Sequence, residues 1–174
     1  MFAVTERLLL RPGWIEDAPE LTAAIGDLEI ARNLAQVPWP YAQADAESFL
    51  ALPADPARPR FLICLRENNR IVGGIGLSGA PEAEFGYWIA RDHWGRGYAT
   101  EAGRAVMALA DGSLRLPRIH ARRAVDNAAS ARVLCKLGFR PTGKRVWSAS
   151  LVRGTMETCL YAREREEAPQ ALAA

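Results

Sequence analysis

Apolar residues recur at two periods along this chain, and the points where the period changes mark its elements. Strand-like runs extend from Thr5 to Leu10, Phe61 to Arg66, Ile71 to Leu77, Glu84 to Ala90, Arg118 to Val125, Thr142 to Ser150 and Thr155 to Arg163. Most are bounded by Gly, Pro, Asn or Asp, as short strands are. Glu67-Asn68-Asn69-Arg70 joins the second run to the third and predicts a hairpin. Helical spacing is clearest from Gly97 to Asp111, where Ala99, Ala102, Val106 and Leu109 share a face. The small residues fill its first two turns, so this end can lie close to a sheet. Asp17 starts an earlier helix, with Pro19 tolerated in the first turn. Two more are predicted, from Leu28 to Gln36 before Pro38 and Pro40, and from Ala44 to Leu52 before Pro53. Asp126 or Asn127 caps a last helix that runs to about Leu137, where Gly138 ends it. The order βααα-βββ-α-β-α-ββ predicts an α/β (α+β) fold, a mixed sheet with helices on both faces. Residues 1–163 form one expected domain, and the charged, then Ala-rich tail from Glu164 is expected to be disordered.

Composition excludes more than it assigns. A chain of 174 residues, 49% hydrophobic and 24% charged, is that of a soluble globular domain. A net charge of +2 is too small to make nucleic acid or an anionic membrane the main partner. No apolar run approaches the roughly 20 residues that span a bilayer. Met1 to Arg7 lacks the charged-then-apolar layout of a signal peptide, so a cytoplasmic location is expected. Cys64, Cys135 and Cys159 are odd in number and far apart, without metal-ligand spacing. They are expected to be reduced core residues, and no metal site is expected.

The chemistry begins at "HWGRGYATEA", residues 93–102. Gly95 and Gly97 are poor helix formers, yet a helix follows at once. A helix start offers unpaired N–H groups and the positive end of the peptide dipoles. Glycines there let a ligand approach the backbone, so an anion, and a phosphate first, is expected. The run nearly matches a dinucleotide fingerprint, with Thr100 in the third glycine's place. Residues Arg91 to Trp94 separate it from its strand, however, and the next strand is basic where an acidic residue is wanted. A dinucleotide oxidoreductase is therefore disfavoured, and no Walker loop is present.

Four segments, "TERLLLRP", "AEFGYWIARDHWGRGYATEA", "NAASARVLCKLGF" and "LYARE", stand in the right order and spacing to resemble the GNAT superfamily of N-acetyltransferases. The resemblance runs from about Thr5 to Arg163. It is closest to the branch of the ribosomal-protein N-terminal acetyltransferases. It implies acetyl-coenzyme A as co-substrate and a mostly antiparallel sheet splayed between its fourth and fifth strands, Glu84 to Ala90 and Arg118 to Val125. It also implies that amides of Gly95, Arg96, Gly97, Tyr98, Ala99 and Thr100 cradle the pyrophosphate. Trp94 stands where the superfamily has Arg or Gln. Trp88 and Ile89 lie on the pantetheine strand, Ile89 pairing through its backbone; core packing serves equally for their side chains. Asn127 either bonds the pantetheine arm or is only a helix cap. Arg96, Arg132 and Lys136 meet the outer phosphates or are solvated charges.

Acetyl transfer needs a neutral amine, a stabilised oxyanion and a stabilised thiolate. A backbone N–H near Ile89 or Ala90 fits the oxyanion. Many relatives carry an acidic tyrosine on the last helix, but Leu134 holds that place. Ser130 matches the donor proposed in the ribosomal-protein branch; otherwise it is a helix serine bonded to backbone. A glutamate that some relatives use as base is replaced by Arg122. Glu84 matches an acidic position of the branch and serves as base or as a plain strand-edge carboxylate. His120, on the strand face of Arg122, is a second candidate. The basic run Arg115, Arg118, His120, Arg122, Arg123 attracts an acidic acceptor or RNA, or is a solvated strand face. The implied function is acetyl transfer to a protein N-terminus or small amine by a monomer or homodimer. The alternative is a non-catalytic acyl-coenzyme A binding module.

Overall fold

Pairing starts close to the N-terminus, where β1 (Ala3–Val4) turns back on β2 (Leu8–Arg11). The turn is closed by Thr5, whose amide donates to Leu8 O at 2.9 Å and whose hydroxyl accepts from Leu8 N at 3.0 Å. The structure, a computed structural model, describes residues 1–165. The expected disorder of the tail from Glu164 therefore concerns, beyond Arg165, residues outside those described. Helices α1 (Ala18–Ile25), α2 (Leu28–Ala31) and α3 (Gln43–Leu50) follow, then strands β3 (Arg60–Leu65), β4 (Ile71–Ser78) and β5 (Ala83–Ile89). Next come α4 (Tyr98–Gly112), β6 (Arg118–Ala124), α5 (Ala128–Lys136) and the hairpin β7 (Arg140–Ser150) with β8 (Gly154–Glu164).

The strands form one eight-stranded sheet in the order β1-β2-β3-β4-β5-β6-β8-β7. Every neighbouring pair is antiparallel except β5 with β6. That parallel pair is joined only from Ala83–Phe85 to Ile119–Ala121. Beyond it the C-terminal halves diverge, which is the expected splay; the short β1 makes these the fifth and sixth strands.

Side-chain alternation sorts the two faces. Leu8, Leu10, Ile63, Phe85, Ile119 and Ala121 pack against Ala102, Val106 and Met107 of α4 and Leu134 of α5. Leu62, Cys64 and Ile71 pack on the other face against Ala18 and Leu21 of α1 and Ala46 of α3. Ile63 pairs with Gly73 but Cys64 with Ile71, so β4 carries one extra residue, a β-bulge, and Val72 shares a cluster with Ile75 and Leu77 against strict alternation.

Two sequence expectations change. The helix expected from Leu28 to Gln36 is only one turn long. Asn33 Nδ2 caps Glu29 O at 2.8 Å and Leu34 N bonds Ala31 O at 3.0 Å, which turns the chain out of the helix. Of the cysteines expected in the core, Cys64 is buried, but Cys159 is half-buried and Cys135 is exposed on α5.

Candidate active site

The glycine loop leaves β5 through a 3₁₀ turn at Arg91–His93 and enters α4. Gly95 and Gly97 have φ of +75° and +81°, left-handed values that disfavour any side chain. A Cβ at Gly95 would meet nothing within 4 Å, so φ and not crowding requires the glycine. Among the described residues, no acceptor is bonded to the N–H groups of Gly95, Arg96, Gly97, Tyr98 and Ala99. That of Thr100 donates to Gly97 O at 3.1 Å, so Thr100 drops out of the expected cradle through its amide. Five successive free donors stand at the start of a 15-residue helix, an arrangement that suits an anion.

A groove of about 440 Å³ adjoins it, lined by Gly97, Thr100, three cations (Arg7, Arg104, Lys136) and two carboxylates (Glu6, Glu101). The sequence reading had Lys136 but missed Arg7 and Arg104. The signal was present, because Gly97, Thr100, Glu101 and Arg104 follow helical spacing. Arg96 and Arg132 are exposed, and the Arg96 carbonyl accepts from Arg7 Nη1 at 3.0 Å.

Trp94 has a role that the sequence reading lacked. Its indole N–H donates to Ile89 O at 2.7 Å and pins the loop to the end of β5. Ala90 N donates to Val72 O at 2.8 Å, so the even-numbered residues of β5 bond β4. Tyr87 and Ile89 therefore direct their main-chain groups toward β6, beyond the last β5–β6 pair. Ile89 keeps its N–H for the gap but not its carbonyl, and Ala90 N–H is committed elsewhere.

Similarity to known proteins converges on the same elements. The family model described as "Acetyltransferase (GNAT) domain" matches residues 7–140. This chain belongs to the GNAT family of acetyltransferases. The uncharacterized N-acetyltransferase p20 of Bacillus licheniformis is 31% identical over 146 residues, 80% of this chain and 82% of that protein. A GNAT-family acetyltransferase from Bacillus anthracis superposes with a TM-score of 0.82 at 24% identity, over 96% of this chain and 100% of that one. The microcin C7 self-immunity acetyltransferase MccE, solved with acetyl-CoA and AMP, gives 0.75 at 20% identity, over 91% and 93%.

The remaining predicted residues of this GNAT acetyltransferase divide between the two sheet faces. Trp88 points toward α1 and α3, where its indole lies over Gly74; a Cβ at Gly74 would come within 2.5 Å of Trp88 Nε1. It is thus a wall of the face opposite α4. Glu84 shares that face by alternation, and its Oε2 accepts from Arg122 Nη2 at 2.8 Å and Nε at 3.1 Å. Elsewhere in the basic run Arg118 pairs with Glu164 at 3.0 Å, His120 Nε2 lies 2.7 Å from Glu82 Oε2, and Arg123 donates to the Tyr161 hydroxyl and to Ala124 O and Val125 O. The Arg118, Arg122 and Arg123 side chains are thus engaged along the strands, in keeping with the solvated-face reading.

Asn127 Oδ1 accepts from Ser130 N at 3.0 Å. The cap reading is realised, and the side-chain NH₂ of Asn127 remains for another partner. The sequence reading passed over Tyr87, on the half of β5 beyond its last pair with β6. Burial pushes the Tyr87 phenol up from its ordinary value, so it stays neutral.

The open end of the splay is bordered by α2 and its flanks. Arg91, just after β5, pairs with Asp27 at 3.3 Å. Asp126, just after β6, pairs with Arg153 at 2.9 Å and Arg32 at 3.8 Å. Leu151 N of the β7–β8 turn donates to Ala35 O at 3.1 Å. Residues 27–35 thus reach from the end of one splayed strand to the end of the other. Among the described residues no cluster of His, Cys, Asp and Glu is fit to hold a metal, and no helix is long and apolar enough to cross a membrane.

Proposed function

We propose that this chain transfers the acetyl group of acetyl-coenzyme A directly to a primary amine, either a protein N-terminus or a small amine. One arrangement carries the reading. A row of free N–H groups from Gly95 to Ala99 leads, through the end of β5, to the inward N–H groups of Ile89 and Tyr87. The first set suits a pyrophosphate, and the second suits an extended arm and a carbonyl oxygen. The charges of the adjoining groove, three cations against two carboxylates, favour further phosphate.

Acetyl-coenzyme A supplies an activated thioester. The protein contributes position and charge. Gly95 to Ala99 hold the pyrophosphate, Arg104 and Lys136 the outer phosphate, and Ile89 and Asn127 the arm. A gap N–H stabilises the oxyanion, and Ser130 donates toward the sulfur. Glu84 lies three residues before Tyr87, about 10 Å along the strand. It receives the amine's proton through water, using the oxygen that Arg122 leaves free. The acceptor enters from the face of Trp88, under residues 27–35.

Thermal denaturation tests the donor. Acetyl-coenzyme A at 100 times its Kd stabilises by about 2.7 kcal/mol, a shift of several degrees for a domain of this size. NADH is expected to give none, and stabilisation by NADH alone would overturn the reading. A panel of N-terminal peptides and small amines, followed by release of free thiol, then identifies the acceptor.

A further inference from the structure

A glycine inside a strand costs stability, so each one needs a reason. In β4 the reason is crowding. A Cβ at Gly73 would collide with Trp88 O, one at Gly74 with Trp88 Nε1 and one at Gly76 with Pro59 O. Gly86, in the middle of β5, has no such reason. Chain neighbours aside, a Cβ there would meet nothing within 4 Å, and its φ lies outside the left-handed region. Gly86 is exposed, although β5 is an inner strand between β4 and β6. Alternation puts it on the face of Glu84 and Trp88, two residues and about 7 Å along the strand from each.

We infer that the room over Gly86 receives the substituent on the amine-bearing carbon of the acceptor, so that the protein prefers an α-amino group with a side chain to a straight-chain amine. The inference rests on the acetyltransferase reading above and deepens it by naming the acceptor's chemistry. In that reading the acceptor enters over Trp88 and gives up its proton toward Glu84. The atoms beside its nitrogen therefore cross the stretch of β5 between the two, and Gly86 is the one position of that stretch on their face. Without a side chain, the strand lets them lie on its backbone, the close approach that a strand glycine permits. An amine on a CH₂ group leaves the room to water. A substituent on that carbon takes the place of the missing side chain and covers apolar surface of the Trp88 ring, which favours it.

The test reads binding, not turnover. Two conjugates join the coenzyme A sulfur through a CH₂–CO link to the nitrogen of glycinamide or of leucinamide. The coenzyme A half anchors both, so they differ only in the side chain on the amine-bearing carbon. Each is titrated by calorimetry into the parent, Gly86→Ala and Gly86→Val. The parent should bind the leucinamide conjugate about tenfold more tightly, about 1.4 kcal/mol. Gly86→Ala should keep part of that preference and Gly86→Val none, while coenzyme A alone binds all three proteins alike. Both variants should fold with a Tm at or above the parent's, because the added Cβ meets no atom and valine suits a strand. A parent indifferent to the side chain overturns the inference, and so does a Gly86→Val protein that keeps the full preference. A Tm several degrees below the parent's in Gly86→Ala would show that the glycine is kept for folding and overturns it as well. A third conjugate, ending in Leu-Ala-Ala amide, separates the sources of such an amine. Tighter binding than leucinamide marks a peptide N-terminus and equal binding a single amino-acid derivative, and the inference holds with either. Failure of coenzyme A itself to bind the parent would instead refute the reading beneath it.

Discussion

Gly97 carries a constraint that no neighbour imposes. Its φ of +81° is forbidding to a β-branched residue, yet a Cβ there would meet only Arg7 Nη2, at 3.6 Å. A glycine kept by conformation, beside open space and next to unbonded amides, points to what approaches the loop. In Gly97→Val the loop must leave the left-handed region, which turns the neighbouring N–H groups away from a common centre. Affinity for acetyl-coenzyme A should fall at least tenfold, about 1.4 kcal/mol, by calorimetry. A folded variant that binds like the parent would place the phosphate elsewhere. Trp94 makes a contrasting point at the same scale. The resemblance leads one to expect Arg or Gln at this position, and here an indole serves by donating to Ile89 O. That contact spans five residues and a turn, so no periodicity in the sequence marks it.

The latch between the start of β2 and α4 belongs to the scale of elements. Glu101 Oε1 accepts from the Thr5 hydroxyl at 2.6 Å and from Arg7 N at 2.9 Å; Oε2 accepts from Arg7 Nε at 2.7 Å. Arg7 in turn holds Arg96 O and lies 4.7 Å from the centre of the Tyr98 ring. An N-terminal turn thus fixes the far side of the anion loop, and the cation cancels a carboxylate that would repel phosphate. Arg7 is half exposed, so the pair itself stabilises modestly, by about 1 kcal/mol. Arg7→Ala should lower Tm by a few degrees and weaken acetyl-coenzyme A by about threefold. A change in Tm without a change in affinity would separate the latch from the loop. The elements themselves were legible where a local rule decides them. The glycine turn, the periodic face of α4, the Asn127 cap and the hairpin at Glu67–Arg70 needed no distant residue. What sequence did not reveal depends on meetings between distant segments: Arg7 with Glu101 and Glu84 with Arg122. The one-turn α2 was misread because Asn33 caps Glu29 within a segment whose composition still suits a helix.

Across the whole molecule, acid should act in two stages. Burial pushes the His93 imidazole below its ordinary value, and the charges of Arg96 and Arg70 push the same way against Asp92. The unfolded chain takes up a proton below about pH 6.5, whereas the folded one does so only at lower pH. Folded stability is therefore full above pH 6.5 and declines as pH falls through that interval. Three carboxylates act later. The Arg153 hydrogen bond holds Asp126 low. At Asp17 and Glu101 burial raises the pKa, but hydrogen bonds outweigh it, from Arg11 and Trp14 N at the one and from Thr5 and Arg7 at the other. Each contributes stability above the usual carboxylate range and loses it as pH falls toward its depressed folded value. These groups tie α1 to β2, α4 to the N-terminal turn, and the β7–β8 hairpin to the end of β6, so the second stage loosens several seams together. Urea titrations at pH 7.5, 5.5 and 4 should find a first loss by pH 5.5 and a steeper one by pH 4. His93→Leu should abolish the first loss and leave the second. A parent equally stable at pH 7.5 and 5.5 would remove His93 from this account. Bound pyrophosphate sharpens the test, because its negative charge offsets Arg96 and lets His93 accept a proton. Saturating acetyl-coenzyme A should then shrink the first loss in the parent and change nothing in the pH dependence of His93→Leu above pH 5.5.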